Sequence, residues 1–325
     1  MKEYVEEYIK YLQEQNPFLL NNYNYMVAFA KNLIDSCDDA TYYWLKQSST
    51  ENLSNKNLTS RGIISVVHNT LRELSADVGN EFLADVKSGK IKFINSGNST
   101  SKFSAIRSSE TRELEDYEII IQTTKTITDL FHLIHEYTHK VMEKINVSAD
   151  RNKDHVDIYD EAAAIFAELL LAKRLSEKYP ELKEDIKLEI GTRINTQINA
   201  ITGIYETFKV ISKVQSGIPE DEIKETCAAG MYTYDSICNR IINKDQGNVG
   251  IHFIGLLTAI NIFYTSTNLQ KDYETIVNEA KQGKYEFLAS KVPTIPSEIT
   301  KYVILMRKSL SDESDKEEKP TIKNP

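Results

Sequence analysis

Glycine and proline are scarce in this sequence, with 12 and 7 residues among 325. Their scarcity argues against an all-β or loop-rich fold, because tight turns depend on these two residue types. The three cysteines, Cys37, Cys227 and Cys238, are odd in number and have no C-x-x-C spacing, which excludes a disulfide framework and a thiolate zinc site. We therefore expect a mainly helical chain in a reducing compartment.

Long apolar runs and an excess of positive charge are also missing. The most apolar stretch, 253–263, is far shorter than the ~20 residues of a membrane-spanning helix. The N-terminus carries Glu3, Glu6 and Glu7 where a signal peptide would be apolar. The net charge of −9 disfavours binding to phosphate backbones. These features predict a soluble cytoplasmic protein with no nucleic-acid partner and no membrane insertion, and they leave its oligomeric state open.

Hydrophobic periodicity predicts helices over most of the chain. Two short segments, 91–94 and 117–122, have the composition of strands instead, and a polar loop at 95–101 follows the first. The expected fold is mainly α, with a small β element beside one helix. We expect helices near 4–12, 26–34, from 60 to before 89, and near 126–145, 156–178, 182–214, 222–243, 249–265, 273–281 and 299–310.

The sequence suggests three parts. Residues 1–90 form an N-terminal helical part, and residues 91–310 form a helical part that contains the candidate catalytic residues. We expect these two parts to form one continuous unit. The candidate catalytic residues lie in a short segment, so the other helices must build the walls of the cleft around them. Residues 311–325 lack aromatic side chains and are rich in charge, so we expect a disordered acidic tail.

Residues 135–139 read HEYTH, which is an HExxH sequence. Thr126 and Asp129 have capping-box spacing, which predicts that the helix containing the HExxH sequence starts there. Residues four apart lie on one helix face about 6 Å apart along the axis, so both histidines can reach one zinc ion. Glu136 is rotated by about 100° from His135, which places its carboxylate beside the metal. There it can accept a proton from a metal-activated water.

A third ligand decides the class of metal site. A metzincin requires a histidine six residues after the second histidine of HExxH, where Ile145 stands, so this class is excluded. Glu161 and Glu168 lie seven residues apart on the next predicted helix and share a face. We choose Glu161 as the third ligand. We expect Glu168 to contact a ligand without binding the metal itself, and the alternative is that Glu168 is a surface carboxylate. Alanines at 162–164 would allow this helix to approach the HExxH helix closely.

These segments resemble a known family of peptidases. TITDLFHLIHEYTH and DIYDEAAAIFAELLLAK are similar to the gluzincin core of oligoendopeptidase F and the thimet-type oligopeptidases, and the resemblance extends over about 117–178. That family has an HExGH helix followed by a second helix that begins with a ligand glutamate and contains a later F-x-E. The resemblance implies a helical zincin-type fold and one zinc ion per chain. It places the ligands at His135, His139 and Glu161 and the general base at Glu136.

The resemblance also implies an oxyanion donor on a later helix. The family places a tyrosine or histidine there, and the faint counterpart is His252, three residues before Gly255. Tyr232 and Tyr234 are rival donors, and a structural role at a helix start is the alternative for His252. Thr138 departs from the glycine of the family, and we expect it to narrow the cleft or to adjust substrate selection.

The sequence therefore predicts a zinc metallopeptidase that hydrolyses a peptide or protein substrate with Glu136 as general base. The strand at 117–122 is expected to be an edge strand that can bind extended substrate. Two alternatives stay open. One is a dedicated protease for a single target protein, since the acidic tail faintly resembles the glutamate-rich C-terminal export signals of some bacterial effectors. The other is a zinc-binding scaffold without turnover that acts as a binding protein.

Overall fold

The computed structural model describes residues 1–48, 58–95, 100–107, 114–142, 153–228, 232–244 and 249–311. Over these ranges the chain is mainly helical and contains one three-stranded sheet, which confirms the expected fold class. The helices are α1 (Lys2–Gln15), α2 (Pro17–Ser36), α3 (Asp39–Ser48), α4 (Ser60–Leu74), α5 (Ala76–Lys87), α6 (Thr128–Met142), α7 (Lys153–Lys178), α8 (Lys183–Gln215), α9 (Glu220–Ala228), α10 (Tyr234–Ile242), α11 (Val249–Thr265), α12 (Leu269–Lys281), α13 (Glu286–Ser290) and α14 (Pro296–Leu310).

The differences from the predicted helices lie mostly where one helix breaks into two. The helix expected from residue 60 to before 89 is divided into α4 and α5, because Ser75 is extended with φ −159°. The helix expected at 222–243 is also two helices, and Thr233 caps the second by accepting a hydrogen bond from the Ser236 amide. The sequence did not predict α3 or α13. The tail at 312–325 lies outside the described residues.

The sheet has the strand order β1-β3-β2, formed by β1 (Ile91–Asn95), β2 (Thr100–Arg107) and β3 (Leu114–Thr123). β1 pairs with β3 in parallel and β2 pairs with it in antiparallel, so that Ile119 faces both Ile91 and Phe103. The strands expected at 91–94 and 117–122 are confirmed, whereas β2 was not predicted. Strand β3 is the central strand, so the expectation that 117–122 is an edge strand is wrong. The side chains of Ile119 and Ile121 are fully buried, as a central strand requires.

A short turn joins β3 directly to α6. Lys125 has φ +63° in this turn, and its amide donates a 2.8 Å hydrogen bond to the Asp129 carboxylate. The hydroxyl of Thr123 donates to the same carboxylate. The Thr126 hydroxyl contacts the Thr124 hydroxyl at 3.0 Å, and the Asp129 amide donates to the Thr126 carbonyl at 3.2 Å. The capping box expected from Thr126 and Asp129 stays a prediction. The Asp129 carboxylate therefore holds the first turn of α6 at the end of the central strand.

Helix α7 packs against both α6 and α11, and the sheet packs against α6. The alanines at 162–164 are fully buried on α7, as expected for a helix with close neighbours. At Gly255 of α11, an added Cβ would lie 2.8 Å from the Glu161 Cβ, so only glycine allows this approach to α7. Buried side chains from both sides of residue 90 belong to one apolar cluster. The division at residue 90 stays a prediction.

Among the described residues, no helix has both the length and the apolar composition needed to cross a membrane. The buried helix α11 is the most apolar of them, but it contains Thr258 and Asn261 and ends at Thr265.

Candidate metal centre

The three predicted ligands meet at one point between α6 and α7. Ligand atoms of His135, His139 and Glu161 all lie within 4.8 Å of one another. The Nε2 atoms of His135 and His139 are 3.0 Å apart. Glu161 Oε2 lies 3.6 Å from His135 Nε2, and Glu161 Oε1 lies 3.4 Å from His139 Nε2. Tetrahedral zinc with bonds of roughly 2.0–2.1 Å places its ligands about 3.4 Å apart. The spacing of these three side chains therefore fits a zinc ion.

The carboxylate of Glu161 provides a second test of this fit. Its Oε2 atom is buried and makes no hydrogen bond of acceptable geometry among the described residues, although His252 Nδ1 lies 2.8 Å away. Burial raises the pKa of Glu161, but the neighbouring histidines His139, His252 and His135 outweigh burial and hold the pKa well below its usual range. A buried ionised carboxylate with an unsatisfied oxygen is the arrangement that a bound cation completes.

The imidazole of His135 is held from behind. Its Nδ1 lies 2.7 Å from Oε1 of Glu168, whose side chain is buried at 2% exposure. The surface-carboxylate alternative for Glu168 is therefore wrong. With its Nδ1 proton directed at Glu168, His135 presents the Nε2 lone pair to the point shared with His139 and Glu161.

Arg193 and Glu189 on α8 complete this network, and the sequence predicts a role for neither. Arg193 donates to Glu168 Oε1 at 2.8 Å and to Glu189 Oε1 at 2.7 Å. Thr128, the first residue of α6, donates to the other oxygen of Glu189 at 2.8 Å. Glutamate and arginine four apart on a helix usually form a surface ion pair, so the sequence held no signal for this role.

Burial and charge act in opposite directions on these groups. Burial raises the pKa of Glu168, but the charges of Arg193 and His135 outweigh it, and the net shift is downward. Burial lowers the pKa of Arg193, but the charges of Glu168 and Glu189 outweigh burial, and the net shift is upward. Burial would likewise lower the pKa of His139, but its hydrogen bond to the Glu161 carboxylate and the charge of that group raise it to about 9. The ion pairs between Arg193 and its two glutamates are thus strong enough to keep Glu168 and Arg193 charged although both are buried.

Glu136 lines the same cleft as the ligands His135 and Glu161. The Ser101 hydroxyl donates a 2.6 Å hydrogen bond to Glu136 Oε1. Ser101 lies on the unpredicted strand β2, so the sequence analysis missed it as well. The cleft has a volume of about 460 Å³ and is lined by Ser101, Thr128, His132, His135, Glu136, Glu161, Ile165, Glu168, Glu189, Thr192, Arg193, Thr196, Gln197, His252 and Leu256.

The three candidate oxyanion donors have different surroundings. His252 lines the cleft beside Glu161. The Tyr232 hydroxyl donates to the Asn199 carbonyl at 2.8 Å, and Tyr234 is buried near Cys238. Neither tyrosine is among the described residues that line the cleft. The structure brings only His252 to the ligands.

Two further side chains of α6 differ in their relation to the cleft. Thr138 is buried at 1% exposure, its hydroxyl donates to the Ile134 carbonyl, and it is not among the described cleft residues. The expectation that Thr138 narrows the cleft is therefore wrong. His132 does line the cleft, and burial together with the charge of Arg193 lowers its pKa to about 4, so this ring is neutral at pH 7.

No protein-family model matches the sequence, and no curated protein is similar to it at the sequence level. Solved structures are similar in fold. A Chlamydophila abortus protein assigned as a peptidase matches 96% of this chain and 60% of its own, with a TM-score of 0.63 and 15% identity. The chain shares the fold of this protein. A Bacillus anthracis protein assigned as an oligoendopeptidase F matches 89% of this chain and 56% of its own, with a TM-score of 0.51 and 13% identity.

A third structure that is similar in fold is PZ peptidase A bound to an inhibitor. It matches 96% of this chain and 59% of its own, with a TM-score of 0.51 and 13% identity. The chain thus spans about three fifths of the length of these three structures. At this level of identity, the likeness concerns the fold.

Proposed function

We propose that this chain is a zinc-dependent peptidase with Glu136 as general base. The observation that carries the proposal is the convergence of His135, His139 and Glu161 at one point, beside a cleft that His135, Glu161 and Glu136 line. When bound, a zinc ion held by these three residues would polarise the scissile carbonyl and lower the pKa of a water molecule. The peptidase fold of the similar structures supports the same reaction class.

The remaining steps belong to side chains of the cleft. Glu136 accepts a proton from the attacking water and passes it to the amine that leaves. Ser101 holds one oxygen of Glu136 through the 2.6 Å hydrogen bond. His252 stabilises the negative charge that develops on the carbonyl oxygen, because it lines the cleft beside the ligand Glu161.

The substrate is a peptide segment in extended conformation. The outer edge of β2 has no strand partner among the described residues, and its Ser101 lies at the cleft. An extended peptide can pair with such an edge through main-chain hydrogen bonds. We therefore transfer the substrate-binding edge, first expected at 117–122, to β2.

The test compares wild type with Glu136→Gln on an unbiased peptide library, with metal content measured on the same samples. Glu225→Gln on α9 serves as the control, because Glu225 is exposed. We expect wild type and the control to cleave peptides, and Glu136→Gln to keep one zinc per chain while losing about 10²–10⁴-fold in rate. Zinc bound in a 1:1 ratio without any cleavage by wild type would overturn the proposal in favour of the silent scaffold.

A further inference from the structure

Arg193 lies between two glutamates and an aromatic ring. Its Nη1 donates to Glu168 at 2.8 Å and its Nε donates to Glu189 at 2.7 Å. The guanidinium carbon is 5.4 Å from the centre of the Phe131 ring. Its planar fork of donors thus fixes two carboxylates at once, which a lysine ammonium cannot do with the same geometry.

All three of these contacts lead to α6, the helix that carries the HExxH sequence. Glu168 lies 2.7 Å from Nδ1 of the ligand His135. Glu189 accepts from Thr128 in the first turn of α6, and Phe131 lies on the same helix. Arg193 therefore touches the start of the helix and, through Glu168, one of its metal ligands.

We propose that Arg193 is a positioning residue that holds Glu168 against His135 and thereby directs His135 Nε2 toward the metal position. The inference rests on the proposed metal site. It extends that site to α8, which supplies none of the three proposed ligands. Arg193 touches neither the metal position nor the reacting atoms, and its effect on His135 passes through Glu168.

Two physical arguments favour positioning over substrate binding. The Glu168 side chain is 2% exposed, and a buried carboxylate without a cationic partner is costly, so loss of Arg193 would displace Glu168 from His135. Arg193 with its two glutamates also carries a net charge of −1, which repels an anionic group of a substrate. The group is therefore suited to orient the His135 ring rather than to bind a carboxylate of a substrate.

The experiment measures zinc affinity of the full chain by competition and the absorption spectrum of the Co²⁺-loaded protein, which reports ligand geometry. The test variant is Arg193→Lys, which keeps the charge and so favours folding. Arg174→Lys is the matched control, since Arg174 pairs with Glu73 away from the cleft. We expect Arg193→Lys to weaken zinc binding by about tenfold and to change the cobalt spectrum, because loss of a partner behind a ligand costs about 10–100-fold in affinity. The control should change neither.

A double-mutant cycle separates positioning from general destabilisation. If Arg193 acts through Glu168, then Arg193→Lys should have no further effect on zinc affinity once Glu168→Gln is present. Additive losses in the double variant, or wild-type affinity and spectrum in Arg193→Lys, would overturn the inference alone. A wild-type chain that binds neither Zn²⁺ nor Co²⁺ would overturn the proposed function together with it. Thermal unfolding of each metal-free variant verifies that it is folded.

Discussion

The Ser101 hydroxyl donates a 2.6 Å hydrogen bond to the Glu136 carboxylate, and this bond connects strand β2 to helix α6 inside the cleft. One oxygen of the proposed general base is thereby fixed, and the other is left to accept the proton. The orientation of the base depends on a strand that lies 35 residues earlier in the chain.

Replacement of Ser101 by alanine should therefore slow catalysis without removing the metal. We expect kcat to fall about 10–100-fold, since a hydrogen bond to a charged group is worth about 1.5–3 kcal/mol, while KM and zinc affinity stay near wild type. Steady-state kinetics on a cleaved peptide measure this. Ser101→Thr should restore most of the rate, and Ser104→Ala on the same strand is the control. A change in KM with kcat unchanged would contradict the assigned role.

His252 gives a prediction that separates two roles. If its ring stabilises the oxyanion, His252→Gln should lower kcat by about 10²–10³-fold, as for loss of an oxyanion donor, while zinc affinity changes little. If it only orients Glu161, at 2.8 Å from His252, zinc affinity should fall and kcat should recover at saturating zinc. Kinetics at several zinc concentrations distinguish the two results. Tyr232→Phe is the control, because that hydroxyl donates to a backbone carbonyl.

Gly255 allows α11 to approach the ligand Glu161. In Gly255→Ala, the new Cβ would lie 2.8 Å from the Glu161 Cβ, so the two helices must separate. We expect the free energy of unfolding to fall by about 1–3 kcal/mol, as in other overpacked cores, and zinc affinity to fall as Glu161 moves. Urea unfolding of the metal-free protein and zinc competition measure the two effects.

The matched control for this prediction is Gly250→Ala on the same helix. Its Cβ would lie 3.2 Å from the sulfur of Met26, a flexible side chain that can move. This variant should leave zinc affinity unchanged. Equal effects of the two alanines on zinc binding would show that contact with Glu161 is not the cause.

Asp85 should make stability depend on pH. Its carboxylate accepts from the buried Lys140 at 3.1 Å and from the Tyr137 hydroxyl at 2.9 Å. Burial raises the pKa of Asp85, but the nearby Tyr117 hydroxyl and the charge of Lys140 outweigh burial and lower it. The unfolded chain, with an aspartate pKa of about 3.9, therefore binds this proton more readily than the native state does.

The stabilisation from Asp85 is consequently present above about pH 4 and is lost as pH falls through its lower native pKa. Asp85→Asn should unfold at lower urea than wild type at pH 7, and this difference should shrink as pH falls from about 4 to 3. Urea titrations at a series of pH values measure it, with Asp77→Asn, an exposed position on α5, as control. A difference that stays constant down to pH 3 would contradict the prediction.

How far the sequence predicts this molecule depends on how local each interaction is. The spacing of His135 and His139 is set by a single helix, and both ring nitrogens meet at the expected point. To predict Glu161 as the third ligand, only the next helix along the chain had to be considered. Ser101 and Arg193 reach the site from distant segments, through a serine in a polar stretch and an arginine that resembles a surface charge. Nothing in their local sequence predicts which atoms they meet.

The sheet shows the same limit. The apolar composition of 117–122 predicts a strand, but its neighbours are chosen by long-range pairing. The break of the helix near Ser75 was also missed, because apolar periodicity continues on both sides of it.

The order of the strands has a consequence for synthesis on the ribosome. β1 and β2 follow each other in the chain but do not pair, because β3 lies between them. A nascent chain that has emerged only as far as residue 107 thus holds two strands and no sheet. The sheet becomes possible when 114–123 emerges, and residues 124–127 alone separate that strand from the HExxH helix. The last of these three strands to be made therefore both closes the sheet and, through the bond from Thr123 to Asp129, anchors the start of the helix that carries His135 and His139.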